Sequence, residues 1–456
     1  MRIVISFDTE DFTDPASNDV LLRLCRLLTE RGVRACFGLV GEKARFLRDQ
    51  GRRDVIAALA EHSVCYHTDN HLLFPDARRE PRFAAQIVEE CDWDEAVEWL
   101  TAVEARGLRD IEDLFGRRPT TFLRTCGDSA PQLLEAHRRL GIRTFAYGPC
   151  MHEKGGIEIA YYASLLFIAL PILSEEITYA GNGPARLDEL AADADLINIR
   201  FHPCRFLTDT WWSIINFAGT WDPPVGGPYQ LAPHLASGET DQRLARLAAL
   251  VDYARDRHGA TFTTYDDLTA AVPADPPFLS RRQVREVARA LQSRLAAVTP
   301  PGLSVSPAEG FGAVIWAALH PAGEHIPLRR LVGPTALPPE TPSAFPVTCG
   351  QLLAACQEAE RHLARTGRVP DSVTIAGRPT GPASLLRAAA ARVLGECDLQ
   401  VAPAPALPEG LDHLYRGWDG FPDIVALFPA RPSRDRACPN TQLAVKLQYW
   451  TYKPAP

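Results

Sequence analysis

Ser63-Val64-Cys65-Tyr66-His67-Thr68-Asp69-Asn70-His71 is a short apolar run that ends in two imidazoles four positions apart. The run has the length and residue types of a buried strand. A spacing of four would let both imidazoles point the same way from one helical turn. Upstream, residues 2–7, mostly apolar, likewise lead into acids, Asp8-Thr9-Glu10-Asp11. Imidazole and carboxylate are the donors preferred by a borderline divalent ion such as zinc. Two His and one carboxylate from separate segments leave coordination positions open for water and substrate, as a hydrolytic metal requires.

Working outward, further short apolar runs predict strands at 35–40, 121–123, 144–147, 196–201 and 260–263. Between them, periodic stretches predict helices at 18–31, 52–61, 94–115 and 129–140. Such alternation implies an α/β fold with a parallel sheet and crossover helices, open or closed into a barrel. In such folds functional residues gather where strands end at their C-termini. Asp8, His67, Arg124 and His202 each follow a predicted strand by a few residues. The longest apolar stretch, 159–173, is too short to span a bilayer and reads as a buried helix or a strand pair.

The pattern changes at Val272-Pro273-Ala274-Asp275-Pro276-Pro277, which divides the chain into expected domains 1–273 and 274–456. Beyond it, helices are predicted at 281–297, 306–319, 348–366 and 381–394, so the C-terminal domain is expected to be mainly helical. Ser304-Val305-Ser306-Pro307 and Val347-Thr348 each lead into a helix and suggest a degenerate repeat. Residues 398–456, rich in Pro and aromatics, give no periodicity.

Composition narrows the function. Of the 456 residues, 46% are apolar and 23% charged, as in an ordinary globular protein. The net charge of −8 and the lack of a Lys/Arg stripe argue against a nucleic-acid partner. Met1 to Phe7 read directly as a strand, without the regions of a signal peptide. The 11 Cys form no CxxC pair and suit reduced thiols. A cytoplasmic protein with no membrane partner is expected; oligomeric state is left open.

Four stretches, Ser6-Phe7-Asp8-Thr9-Glu10-Asp11, His67-Thr68-Asp69-Asn70-His71, Leu123-Arg124-Thr125-Cys126-Gly127 and Asn198-Ile199-Arg200-Phe201-His202-Pro203, occur in this order. With them, residues 1–270 resemble the polysaccharide deacetylase family (NodB homology, carbohydrate esterase family four). The resemblance implies a distorted (β/α) barrel and a divalent metal, zinc foremost, held by Glu10, His67 and His71. It implies Asp8 as catalytic base, Arg124 as the residue paired with that base, and His202 as general acid. Asp11 competes with Glu10 for the ligand position. Thr68 would bond a neighbouring loop or substrate, or cap a helix.

The chain also departs from the family. Its first two acids are separated by Thr9, and Thr125-Cys126-Gly127-Asp128 stands where the family has Pro-Pro-Tyr-Gly. The family's Asp with a nearby Trp, which supports the acid His, has no match; Asp193 or Asp195 would substitute. Glu158, Glu175 and Glu176 are placed similarly but lack a family counterpart. Cys126 and Cys204 read as buried, inert thiols. Trp211, Trp212, Phe217, Trp221 and Tyr229 would stack on a ligand or pack on the barrel. Gly367-Arg368-Val369-Pro370-Asp371-Ser372-Val373 is faintly similar to pseudomurein-binding repeats, which implies a glycan-binding module or a cover over the barrel.

The expected activity is metal-dependent removal of an N-acyl group, foremost N-acetyl, from an amino-sugar-like or other small intracellular substrate. Its rivals are other C–N hydrolysis or proton transfer at the same metal, or an inactive glycan-binding protein. Small-molecule or glycan substrates are the expected partners.

Overall fold

The computed structural model describes residues 1–71, 90–125, 130–147, 157–216, 228–272, 276–300, 302–409 and 439–455. They divide into two compact units. One comprises described residues of Met1–Glu158 and Phe167–Ala271; the other comprises Ile159–Leu166 and described residues of Val272–Tyr415 and Pro439–Pro456.

The first unit is built on β1 (Arg2–Thr9), β2 (Cys36–Leu39), β3 (Ser63–Tyr66), β4 (Thr121–Leu123) and β5 (Thr144–Ala146). The 159–173 stretch is extended, so the strand reading of that stretch holds: β6 (Glu158–Tyr162) from Ile159 on and the start of β7 (Leu165–Ala169) belong to the second unit, and the rest of β7 with β8 (Ile172–Ser174) to the first. β9 (Leu196–Phe201) and β10 (Thr261–Thr263) complete the set. Strands run in the order β5-β4-β3-β2-β1-β9-β8, with β10 also on β1. Each of these pairings is parallel.

β1 is central. Its Ser6–Thr9 half pairs with β2, and Arg2–Val4 pairs with β10, while β9 runs along Arg2–Phe7. Two strands thus share β1 end to end, and the sheet splits and curls into an open half-barrel instead of a closed ring. β1 is buried from Ile3 to Thr9 because helices cover the sheet. Helix Ala16–Glu30 shows how: Val20, Leu21, Leu24, Cys25 and Leu28 recur at helical spacing and are buried. Helix Glu239–His258 was not expected from the sequence, although Leu244, Leu247, Leu250, Val251 and Ala254 form a buried stripe and Gly259 ends it in the left-handed region.

The second unit contains the repeat, in a different register from the one expected. β11 (Phe278–Ser280), helices Arg281–Ser293 and Pro307–Leu319, and β12 (His325–Pro327) form one copy. β13 (Phe345–Pro346), helices Cys349–Thr366 and Pro382–Leu394, and β16 (Gln400–Val401) form the other, with the hairpin β14 (Val373–Ile375) and β15 (Arg378–Thr380) between its helices. The outer strands of each copy pair antiparallel. The first helix of each opens with a capping box, Ser280 with Gln283 and Thr348 with Gln351. The helix after Ser306 therefore corresponds to Pro382–Leu394, not to Cys349–Thr366. Near the chain end, β17 (Tyr452–Pro454) pairs with β6, and Lys453 Nζ is 2.8 Å from Glu309 Oε2, both buried. Among the described residues, no helix is long and apolar enough to cross a membrane.

Candidate functional site

Asp8 and Glu10 leave the C-terminal end of β1 two residues apart, so their side chains share one face. Asp11 turns into the following loop. Its Oδ1 accepts from the Thr13 N–H at 2.9 Å, the Thr13 hydroxyl at 2.9 Å and the Asp14 N–H at 3.2 Å. Lys43, buried beside it, donates to the Asp11 backbone carbonyl and to Ser17 Oγ. Asp11 therefore organises the β1 exit, and Glu10 is the acid that faces the two imidazoles.

His67 and His71 are not on a helical turn. Thr68 and His71 both have φ of 69°, which breaks any helix between them. The Thr68 hydroxyl donates to the His71 carbonyl at 2.6 Å and closes this loop, so it does not cap a helix. Asp69 fastens the loop from outside. Its Oδ1 is 2.9 Å from Arg45 Nη1 and its Oδ2 is 3.0 Å from Arg106 Nε. The N–H groups of Gly41 and Glu42 donate to the Thr68 and Asp69 carbonyls. Such left-handed residues cost about 1–3 kcal/mol each unless the surroundings hold them, as these bonds do.

The loop brings His71 Nε2 to 2.7 Å and His67 Nε2 to 3.6 Å from Glu10 Oε2. All three residues are buried, with one donor atom from each within 4.8 Å of the others. His67 Nδ1 lies 2.6 Å from the Leu123 carbonyl, so Nδ1 is a donor and the ring is turned with Nε2 toward Glu10. Two electron-rich atoms facing each other in a dry site need a cation or proton between them. One carboxylate oxygen and two imidazole nitrogens fit a borderline divalent ion. Burial alone would raise the Glu10 pKa, but His71 and His67 hold it well below its ordinary value.

Beside this group lies a second one. Asp8 Oδ2 is 3.4 Å from His202 Nε2, and Asp8 Oδ1 accepts from the Tyr147 hydroxyl at 2.9 Å. Glu175 grips His202 twice: Oε1 is 3.0 Å from Nδ1, and Oε2 accepts the backbone N–H at 2.7 Å. Burial works against a charged imidazole here, yet Glu175 and Asp8 raise the His202 pKa well above its ordinary value. For Asp8, burial is likewise outweighed, by His67, His202 and Arg200, and its pKa is lowered. A charged imidazole beside an ionised carboxylate is chemically able to donate a proton at one end and accept one at the other.

Arg124 is buried just after β4. Arg200, for which no role was expected, pairs with Ser6 in register and lies with its guanidinium 5.4 Å from the Tyr147 ring centre. Asp193 and Asp195 are exposed before the start of β9, whereas His202 follows its end. Six residues of strand separate them from His202 by about 20 Å, so neither can support it. Glu175 does so instead, and Glu176 is exposed. Trp211 packs edge-on against His202 with ring centres 4.5 Å apart, and Tyr229 packs on Phe12. Cys204 is buried, and burial pushes its thiol well above the usual range. Cys126, Phe217 and Trp221 lie outside the described residues. Tyr147 was missed; its only trace in the sequence was a polar-tipped aromatic at a predicted strand end, where the structure gives it a φ of 72°.

No protein-family model matches the chain, and no curated protein matches it. Three solved structures to which it is similar are described as a family 4 carbohydrate esterase, a peptidoglycan deacetylase and a family 4 pseudoenzyme. A family 4 carbohydrate esterase from Streptomyces lividans, in complex with acetate, is 12% identical, over 57% of this chain and 91% of that one, with a TM-score of 0.31. A mutant of the peptidoglycan deacetylase PdaC from Bacillus subtilis is 15% identical, over 63% and 96%, with a TM-score of 0.31. A family 4 pseudoenzyme from Bacillus anthracis is 10% identical, over 59% and 65%, with a TM-score of 0.32.

Proposed function

We propose that the first unit is a metal-dependent hydrolase that removes an N-acyl group, foremost acetyl, from an amino sugar or another small cytoplasmic substrate. The observation that carries this reading is the placing of two complementary groups in one buried site. Glu10, His67 and His71 form a donor set for a divalent ion, and Asp8 and His202 form an acceptor and donor of protons beside it.

Zinc is the ion the donor set favours; when bound, such an ion polarises an acyl oxygen and lowers the pKa of its water toward about 7. The chain's own groups supply the rest. Asp8 is ionised and anchored at Oδ1 by Tyr147, so it can take the proton from the attacking water. Breaking an amide C–N bond requires a proton on the departing nitrogen. His202 is held in its charged form by Glu175 and Asp8 and can deliver that proton from Nε2, the atom turned into the site. Arg124, buried at the same end of the sheet, is assigned to the base as a supporting cation.

Acetate release from a panel of N-acetylated sugars, using protein purified without chelators, tests the reading. Asp8→Asn is expected to lower turnover by about 10²–10⁴-fold while the bound metal is retained. Metal lost with Asp8→Asn would reassign Asp8 as a ligand. A wild-type protein that holds no divalent ion would overturn the proposal as a whole. Bound metal without acetate release from any sugar would count against deacetylation and favour another hydrolysis or proton transfer at the same site.

A further inference from the structure

The Glu10 carboxylate has two oxygens, and the fold treats them differently. Oε2 faces both imidazoles, at 2.7 Å from His71 and 3.6 Å from His67. Oε1 accepts the indole N–H of Trp212 at 3.2 Å. Trp212 is 1% exposed and packs with Phe12, Val40 and Cys204. Its ring centre is 4.8 Å from that of Phe12, next to the β1 exit, and 5.4 Å from that of His71. One side chain therefore touches the acid and one imidazole of the donor set, and a buried indole leaves Glu10 little freedom to rotate.

We infer that Trp212 is the positioning residue of the metal site: its N–H holds Glu10 as a single-oxygen ligand and sets the direction of the ligating atom. The inference rests on the metal reading proposed above. Its consequence concerns which ion is taken. With Oε1 held away, the chain offers three donors, the number found at open zinc sites. Calcium wants six to eight oxygens, and a carboxylate free to bind through both would move the site in that direction. The same segment joins the two halves of the site, because Trp211, the adjacent residue, rests on His202. Groups that brace a ligand in this way are worth about 10–100-fold in metal affinity.

Cobalt(II) binding to the full-length protein tests this, by competition with a chelating dye and by the visible absorption of the bound ion. Trp212→Phe, which keeps a ring and removes the N–H, is expected to weaken cobalt binding about 10–100-fold and to alter the absorption band. Trp212→His, which retains a ring N–H, is expected to recover part of the affinity. Equal affinity and an unchanged band in Trp212→Phe would overturn the inference while leaving the metal reading intact. A wild-type protein that binds no cobalt would instead overturn the metal reading itself. Melting of the metal-free variants checks that they fold. If Trp212→Phe does not, the indole N–H resonances of the wild-type protein decide. Zinc addition should shift one solvent-protected indole proton, and a spectrum in which none moves counts against the role.

Discussion

Glu175 shows how a residue that matches no motif can still brace a candidate site. It stands 27 positions before His202, at no recognisable spacing, and only the parallel pairing of β8 with β9 brings the two together. Glu175→Gln keeps one oxygen, enough to accept one of the two His202 N–H groups, and removes the charge that raises the imidazole pKa. The charged form of His202 would then be lost at lower pH. The alkaline limb of the pH profile for acetate release should shift toward acid, with the acidic limb moving less. An alkaline limb that stays in place would mean that another group is the proton donor. By contrast Glu10, His67, His71, Asp8 and His202 were legible, because each lies at or within a few residues of the end of an apolar run, and strand ends in a parallel sheet converge.

At the level of elements, strands β3, β4 and β9 begin and end where their apolar runs do. The loop after β3 does not follow its sequence pattern. A spacing of four suggested a helical turn, but the loop's shape is imposed by helices Gly41–Asp49 and Trp93–Phe115, which approach through glycines. A Cβ on Gly107 would lie 2.8 Å from Tyr66 Oη and 2.9 Å from Asp69 Oδ1. Gly107→Ala is therefore a contest between two effects. Helix propensity favours Ala by about 1 kcal/mol, whereas overpacking a tight interior costs about 1–3 kcal/mol. Both neighbours are buried and bonded, so the clash should win: a lower melting temperature together with weaker metal binding. A variant that melts higher and binds metal as before would show that the loop does not depend on this approach.

Across the whole molecule, acid sensitivity should have a source remote from the site. His62 is buried, with Nδ1 accepting from the Ala35 N–H at 3.3 Å and Nε2 placed 3.1 Å from the Cys25 carbonyl. Only the neutral ring satisfies both bonds. Burial lowers its pKa below the ordinary 6.5. The folded state therefore binds fewer protons than the unfolded one; the stability that His62 contributes is present above about pH 6.5 and is lost as pH falls through the lower, folded pKa. The gap in melting temperature between wild type and His62→Gln should be widest at neutral pH and narrow toward pH 5. A gap constant with pH would assign the acid sensitivity elsewhere. In the second unit the repeat was visible as two helix starts, but its register was not, because Ser306 and Thr348 both carry cap signals and only strand pairing shows which helices correspond. By itself the sequence determined the alternation of strands and helices, and the chemistry gathered at the strand ends, since both are written in local apolar periodicity and residue type. Only the tertiary structure decided that Glu10 and not Asp11 faces the imidazoles, that Glu175 braces His202, and that Tyr147 and Trp212 each hold one carboxylate oxygen. Those choices depend on contacts between segments far apart in the chain, for which no local pattern exists.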